Sequence, residues 1–366
     1  MKVGKAIYNI LSQSTDVQSN FPFNTTDYAP TGTELVSNPN FTETGSELVT
    51  DGDFSSGANW YEGTGCTISG NQGIFTAATS GSGFTGNNDN AAICVVGKSY
   101  KVTYTIDSIT SGSVRLRHPF TGTYYDDTSS FPLNVTEYVV ADDTDIYIQN
   151  SGTTTATISN ISVKELGEDW TLGTGWSIGE DKAVCDGSQT TYSGLIQNSV
   201  FTSTKSYKLT FDITSNQENF AFWVNGSQII FTAALSDGSK EYYFTASASG
   251  SAYFEATASF IGTITNITVQ EMILTKIFPE LAPPDIDAPY IVYSVVSNSP
   301  SETKNANGDI DTANIEVYGF QDTYNKAVDL GVSVRAALDR KTGTYNTIQI
   351  QSTNYVNEQM DVNEAR

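Results

Sequence analysis

From residue 31 to 272 the apolar residues fall mostly at every second position. In Tyr100-Lys-Val-Thr-Tyr-Thr-Ile, positions 100, 102, 104 and 106 are apolar between polar neighbours, and Tyr207, Leu209, Phe211 and Ile213 repeat the pattern. Ile158, Ile161 and Val163 follow it less strictly. Period two sends alternate side chains to opposite faces, so these segments read as half-buried strands. Gly, Asn, Asp and Ser clusters separate them at the spacing of antiparallel β-sandwiches.

The two ends of the chain are patterned differently. Pro289 to Asn298 is almost continuously apolar, as a strand buried on both faces would be. Thr312 to Phe320 alternates, with Ile315 and Val317 on one side. Tyr324, Ala327, Val328, Gly331, Val334 and Leu338 then form one helical stripe. Asp322 or Thr323 stands at its start, and Arg340, Lys341 and Gly343 at its end. A further strand follows near Tyr345. At the other terminus, Gly4 to Ser12 places Ile7, Ile10 and Leu11 on one helical face. A helix this short is marginal alone in water and needs a sheet to lie on. Residues 1–20 and 273–366 are therefore expected to form one discontinuous domain, ordered helix, two strands, helix, strand.

The middle repeats itself. GKSYKVTYTIDSITSG from Gly97 aligns with TKSYKLTFDITSNQEN from Thr204, and ATISNISVKEL (Ala156 to Leu166) aligns with GTITNITVQEM (Gly262 to Met272). The offsets agree to within a residue, which predicts a tandem duplication. A tryptophan before a Gly-rich turn opens each copy, Trp60 and Trp176. The expected modules are 31–166 and 167–272, inserted into an early loop of the terminal domain, where insertions with close ends are tolerated.

Composition narrows the functions. Charged residues make up 16% of the 366 residues and aromatics 11%, a bias toward sheet. The net charge is −23, of which residues 31–272 carry 9 basic and 26 acidic residues. That argues against phosphate-driven nucleic-acid binding and against anionic membranes. The sole histidine, His118, rules out most catalytic triads and His-ligated metal sites, so no enzyme is expected. Cys66, Cys94 and Cys185 form no Cys-x-x-Cys pair; buried free thiols are expected over a Cys66–Cys94 bridge. Neither a convincing signal peptide nor an apolar run of membrane-spanning length is present.

LVTDGDFSSGANW, Leu48 to Trp60, together with the Tyr-Lys-Val/Leu-Thr strands, resembles the β-sandwich modules of the galactose-binding or carbohydrate-binding kind. Such a resemblance implies that Trp60, Trp176 or Trp223 stacks on a sugar ring, although a tryptophan in such a strand is also an ordinary core residue. Gly86 to Ala91 and Ala141 to Asp145 offer oxygens for structural calcium, or are plain surface turns. No other cofactor is expected.

The joined termini, VGKAIYNILSQSTDV at 3–17, KIFPELAPPDIDAPYIVYSVV at 276–296 with its continuation to 339, and QIQSTNYVNEQMD at 349–361, resemble the bacteriophage tail-completion family. These are the tail terminators or tail-to-head joining proteins, and the likeness covers about a third of the chain. It implies an α+β core with a helix packed on a mostly antiparallel sheet, carrying the two tandem antiparallel sandwiches. It implies a virion protein, made in the host cytoplasm, that forms a ring, commonly a hexamer. The ring sits at the head-proximal end of the tail, ends tube growth and joins tail to head. Its partners would be itself, the tail tube protein, a head-completion or connector protein, glycans at the sandwiches, and DNA only as passing cargo. Ile277, Phe278, Tyr318 and Phe320 are the candidates for the oligomer and tube interface. Asp309 and Asp311 are candidates to face the lumen, or belong to a solvated hairpin turn. The other class of function is a virion-surface adhesin that works through its sandwiches.

Overall fold

The computed structural model describes all residues except 1, 22, 43, 87–91, 129, 217, 233–235, 302–309, 346–347 and 358–366. Among the described residues there are 25 strands and three helices. They gather around three separate hydrophobic cores. This corrects the expected fold class. The molecule is predominantly β, and two large sandwiches dominate it.

Both sandwiches have one design. In the second module, one sheet orders Trp176–Gly179, Lys182–Asp186, Ile261–Leu274, Ser206–Ser215 and Gly238–Thr245. Its facing sheet orders Thr171–Leu172, Ser193–Phe201, Gly250–Ala256, Phe220–Val224 and Ser227–Thr232. In the first module the long strands Ser99–His118 and Tyr147–Leu166 run through both layers, shifting register near Gly112 and Gly152 as they turn the corner. Bulges and glycines are how a strand bends from one sheet to the next. Each half then pairs as its counterpart does: Ser99 to Ile106 with Leu133–Val140, as Ser206–Ser215 with Gly238–Thr245. Period-two burial explains these strands, since Tyr207, Leu209, Phe211 and Ile213 are all buried while Lys208, Thr210 and Asp212 face outward.

The copies are nested, not in tandem. ELVSNPNF at 34–41 matches ELVTDGDF at 47–54, and both open a sandwich. Leu48 N–H donates to Val163 O at 3.0 Å and Ile161 N–H to Gly52 O at 2.8 Å. Leu35 N–H likewise donates to Val269 O at 3.0 Å, and Ile267 N–H to Pro39 O at 2.9 Å. Glu47 Oε1 accepts from Val163 N at 2.9 Å, and Glu34 Oε1 from Val269 N at 2.8 Å. Asn38 and Asp51 share a left-handed backbone (φ 46° and 61°), as do Phe41 and Phe54 (58° and 54°). Val36 and Phe41 lie in the core of the second module. That module therefore comprises residues 31–42 with 167–272, and the first module, residues 44–166, sits in one of its loops. The boundary expected at residue 31 moves accordingly.

The tryptophan match also shifts. Trp60 N–H donates to Gly57 O at 3.3 Å and Trp170 N–H to Gly167 O at 2.8 Å. Their indole nitrogens donate to Asp51 O at 2.8 Å and Asn38 O at 3.4 Å. Trp170, not Trp176, is the partner of Trp60. Trp176 stands where the first module has Cys66, each donating its N–H at 3.0 Å to the glycine three residues before it.

The third core draws on both chain ends. Helix α1 (Lys2–Gln13) contributes Ile7, Ile10 and Leu11, and α2 (Thr15–Gln18) contributes Val17. Ile277, Ile291, Tyr293, Leu330 and Ala337 complete the core from the other end. The sheet here has only three strands, Ile277–Pro279 parallel to Tyr290–Ser301 and the latter antiparallel to Ile310–Phe320. A separate hairpin, Gly343–Tyr345 with Ile348–Ile350, follows helix α3 (Tyr324–Leu338). Both N-terminal helices also pack on α3, and Asn20 Nδ2 donates to Ser333 Oγ at 2.9 Å. The expected stripe on α3 is rotated: Leu330 and Ala337 are its buried residues, while Tyr324 is 60% exposed. Leu330 fits over Gly319, where a Cβ would lie 2.8 Å from Leu330 Cδ2.

The chain leaves this body and returns to it at one place. Tyr28–Pro30 pairs antiparallel with Met272 to Leu274. Thr275 N–H donates to Asp27 O at 2.8 Å, and Lys276 Nζ lies 3.1 Å from Asp27 Oδ1.

Candidate functional site

Sequence singled out three tryptophans as ligand contacts. Trp60 and Trp176 are 3% and 4% exposed, so neither offers a ring face to an outside ligand. Trp60 packs on Phe54 and Trp176 on Phe260. These two are corrected to core residues. Trp223 differs, being half-buried on the outer face of its sheet, its indole nitrogen itself buried and, among the described residues, without a hydrogen-bond partner.

Around Trp223 lies a surface that both modules share. Trp223 is opposite Tyr253 on the neighbouring strand. Tyr253 lies over Gly194, where a Cβ would sit 1.9 Å from Tyr253 Cε2. In the first module His118 is opposite Tyr147, and Tyr147 lies over Gly83, where a Cβ would sit 2.8 Å from Tyr147 Cε2. The two glycines are equivalent, since Gly63 N–H donates to Gly83 O and Gly173 N–H to Gly194 O, both at 2.8 Å. In each sandwich a tyrosine, in register with a second planar side chain, thus lies over a glycine and forms an aromatic shelf.

The polar groups beside the shelves differ. Glu255 is paired with Gly194 in the second module, and Gln149 with Gly83 in the first. Burial, with the nearby Glu255 carboxylate adding to it, pushes the Tyr253 phenol up to about 12. An open hollow of about 240 Å³ adjoins Tyr253, lined by Gln189, Tyr192 and Ser193. Gln189 is buried; its amide nitrogen donates to Phe260 O at 2.7 Å and its Oε1 has no hydrogen-bond partner among the described residues. Tyr192 stands at the rim, 67% exposed. No sequence pattern marked these residues, because the shelf exists only once strand register is known.

The terminal body carries the other candidate residues. Ile277 is buried and so is a core residue, not an interface one. Phe278, Tyr290 and Phe320 form a ladder across the three strands, with Tyr290 and Phe320 stacked at 4.4 Å. Tyr318 is half exposed beside it. Asp309 lies outside the described residues, and Asp311 is opposite Pro300 in its strand. Residues 87–91 of the first calcium candidate also lie outside the described residues, and among the described residues no group of three or more His, Cys, Asp or Glu side chains forms a metal cluster. Cys66, Cys94 and Cys185 are free and buried.

No family model matches the chain, and no curated protein matches it. Among solved structures it is similar to the N-terminal tandem CBM22 domain of a Paenibacillus barcinonensis protein, at 8% identity and a TM-score of 0.21, covering 63% of this chain and 99% of that one. An anti-sigma factor domain-containing protein aligns at 10% identity and a TM-score of 0.18, over 59% of this chain and 89% of the other. A GH31 α-xylosidase from Xanthomonas citri aligns at 7% identity and a TM-score of 0.16, over 69% of this chain and 25% of that one. Likeness at these TM-scores carries no argument about function.

Proposed function

We propose that this protein is a structural component of a bacteriophage virion, a tail-completion subunit. It forms a ring at the head-proximal end of the tail, ends tube polymerisation and joins tail to head. One observation carries the reading: residues from both chain ends, which hold the resemblance to that family, close around one shared core. Everything between leaves and returns at the paired strands Tyr28–Pro30 and Met272 to Leu274. The same body exposes large apolar groups, Tyr318, Phe320, Tyr324, Val332 and Leu281 among them. Exposed apolar surface of this kind suits subunit and tube contacts. The work needs no nucleophile and no cofactor; it needs rigid surfaces, with DNA only passing through. The test is whether purified protein assembles into rings and binds tail tubes. A monomer indifferent to tubes would overturn it.

A second reading, a glycan-binding adhesin, is favoured by the two equivalent aromatic shelves on the sandwiches. Stacking against a sugar's C–H face is what such shelves suit. The readings are compatible, since sandwiches inserted at one point of a ring subunit project as decorations whose weak sites gain by repetition. Glycan binding retained by a protein that never assembles would favour the adhesin alone.

A further inference from the structure

We propose that the shelf of the first module binds a sugar bearing a carboxylate, whereas its counterpart on the second module takes a neutral one. The proposal rests on reading the sandwiches as glycan binders and adds the chemical class of the ligand.

Strand register brings Tyr61, Thr85, Tyr147 and His118 into one row across four strands. Tyr61 is 64% exposed, and the His118 and Tyr147 rings stack with centroids 6.2 Å apart and planes 21° apart. In the next row Arg115 faces Gln149, its Nη2 donating to Gln149 Oε1 at 3.2 Å. Tyr124 covers the guanidinium, whose carbon lies 4.3 Å from the ring centroid. These contacts fix the fork of Arg115 beside the aromatic shelf.

The charge at this face is out of keeping with the chain. The protein has a net charge of −23 and only 18 basic residues, yet two arginines and its one histidine lie on this stretch of strand. Among the described residues no carboxylate forms an ion pair with Arg115 or Arg117, and Arg115 Nε is buried without a hydrogen-bond partner. Of the acids nearby, Asp143 lies at the shelf itself, its Oδ2 3.3 Å from His118 Nδ1, while Asp126, opposite Ser113, accepts from Thr128 N at 3.0 Å. With Nη2 on Gln149 and Nε buried, Nη1 is the guanidinium nitrogen left over, and such a donor beside a stacking surface is suited to a charge-assisted hydrogen bond to a ring-borne carboxylate.

The second module shows the contrast. Trp223 replaces His118, Glu255 replaces Gln149, and Ala221 stands opposite Glu255 where the first module has Arg115. That shelf keeps its aromatic pair but offers a carboxylate, which repels an acidic sugar and accepts hydroxyl hydrogen bonds from a neutral one.

The experiment is calorimetric titration of the full chain with an oligogalacturonate, an oligosialic acid and a hyaluronan oligosaccharide, each beside its carboxyl-reduced counterpart. At least one acidic oligosaccharide should bind, with carboxyl reduction weakening it about tenfold or more. Arg115→Gln should weaken it equally while circular dichroism stays unchanged. Tyr124→Ala, which keeps the cation, should retain the preference for the acidic form, and Trp223→Ala should leave acidic binding intact. The proposal is overturned if acidic and reduced forms bind alike, if Arg115→Gln keeps full affinity, or if inorganic phosphate competes as well as the sugar. If only neutral oligosaccharides bind, and Trp223→Ala abolishes that, the glycan reading stands and this proposal falls. If none of the six binds, both fall.

Discussion

Phe41 lies six residues before the first module begins its own opening segment, yet its ring packs 5.3 Å from that of Trp170, in the core of the second. Replacing Phe41 with Ala removes a side chain that is 1% exposed. A buried phenylalanine at about 25 cal/mol per Å² over roughly 150–200 Å² is worth about 4–5 kcal/mol. That is an upper figure, because the unfolded chain already hides part of its surface. Measured Phe to Ala changes in cores cost about 3–5 kcal/mol, which brackets it. The assay is hydrogen exchange read by segment. Phe41→Ala should accelerate exchange in 206–215 and 261–272, and leave 72–78 and 156–163 protected. Phe54→Ala, its counterpart at 1% exposure in the first core, should do the reverse. Loss of protection in the first module on Phe41→Ala would refute the nested arrangement. So would failure to fold of a chain in which residue 43 is joined directly to residue 167.

Other outcomes follow from individual contacts. Burial pushes the thiols of Cys66, Cys94 and Cys185 up to about 11, 12 and 11, so none should react with an alkylating reagent at neutral pH until denaturant is added, when all three should. The Asp212 carboxyl is held below its usual range by hydrogen bonds from Asn266 and Ser239. Its stabilisation is present above the unfolded value of about 3.9 and lost as pH falls through the lower folded one; urea unfolding below that range should show Asp212→Asn and the parent converging. Tyr318→Lys, on a half-exposed side chain, should break assembly while changing the unfolding free energy by no more than about 0.5 kcal/mol; an intact assembly would exclude this face from the interface.

The duplication was legible because strands paired at the centre of each sheet keep a strict two-residue alternation. Tyr100 to Ile106 and Tyr207 to Ile213 are such strands, and both copies bury the same positions. The nesting was harder to see, since its signal is the eight residues Glu34 to Phe41, which lie before the wrong copy. The tryptophans misled for a related reason: GTGW and NWYEGTG share letters, but the hydrogen bonds of Trp60 match those of Trp170. Ile7, Ile10 and Leu11 do fall on a helix and are buried, but helical periodicity at two short ends does not set the class of a chain whose bulk is sheet. The shelves could not be read at all. Tyr147, His118 and Gly83 are far apart in sequence and meet only through the pairing of three strands.

As proposed, the chain is a ring-forming subunit whose sandwiches are insertions. Mass photometry of the purified 39.5 kDa chain, with electron microscopy of the same sample, tests it most directly. A ring-forming subunit gives closed rings of uniform multiple mass, with paired sandwiches projecting from each protomer and the joined termini forming the wall. A monodisperse monomer, with or without added tail tube protein, would contradict it.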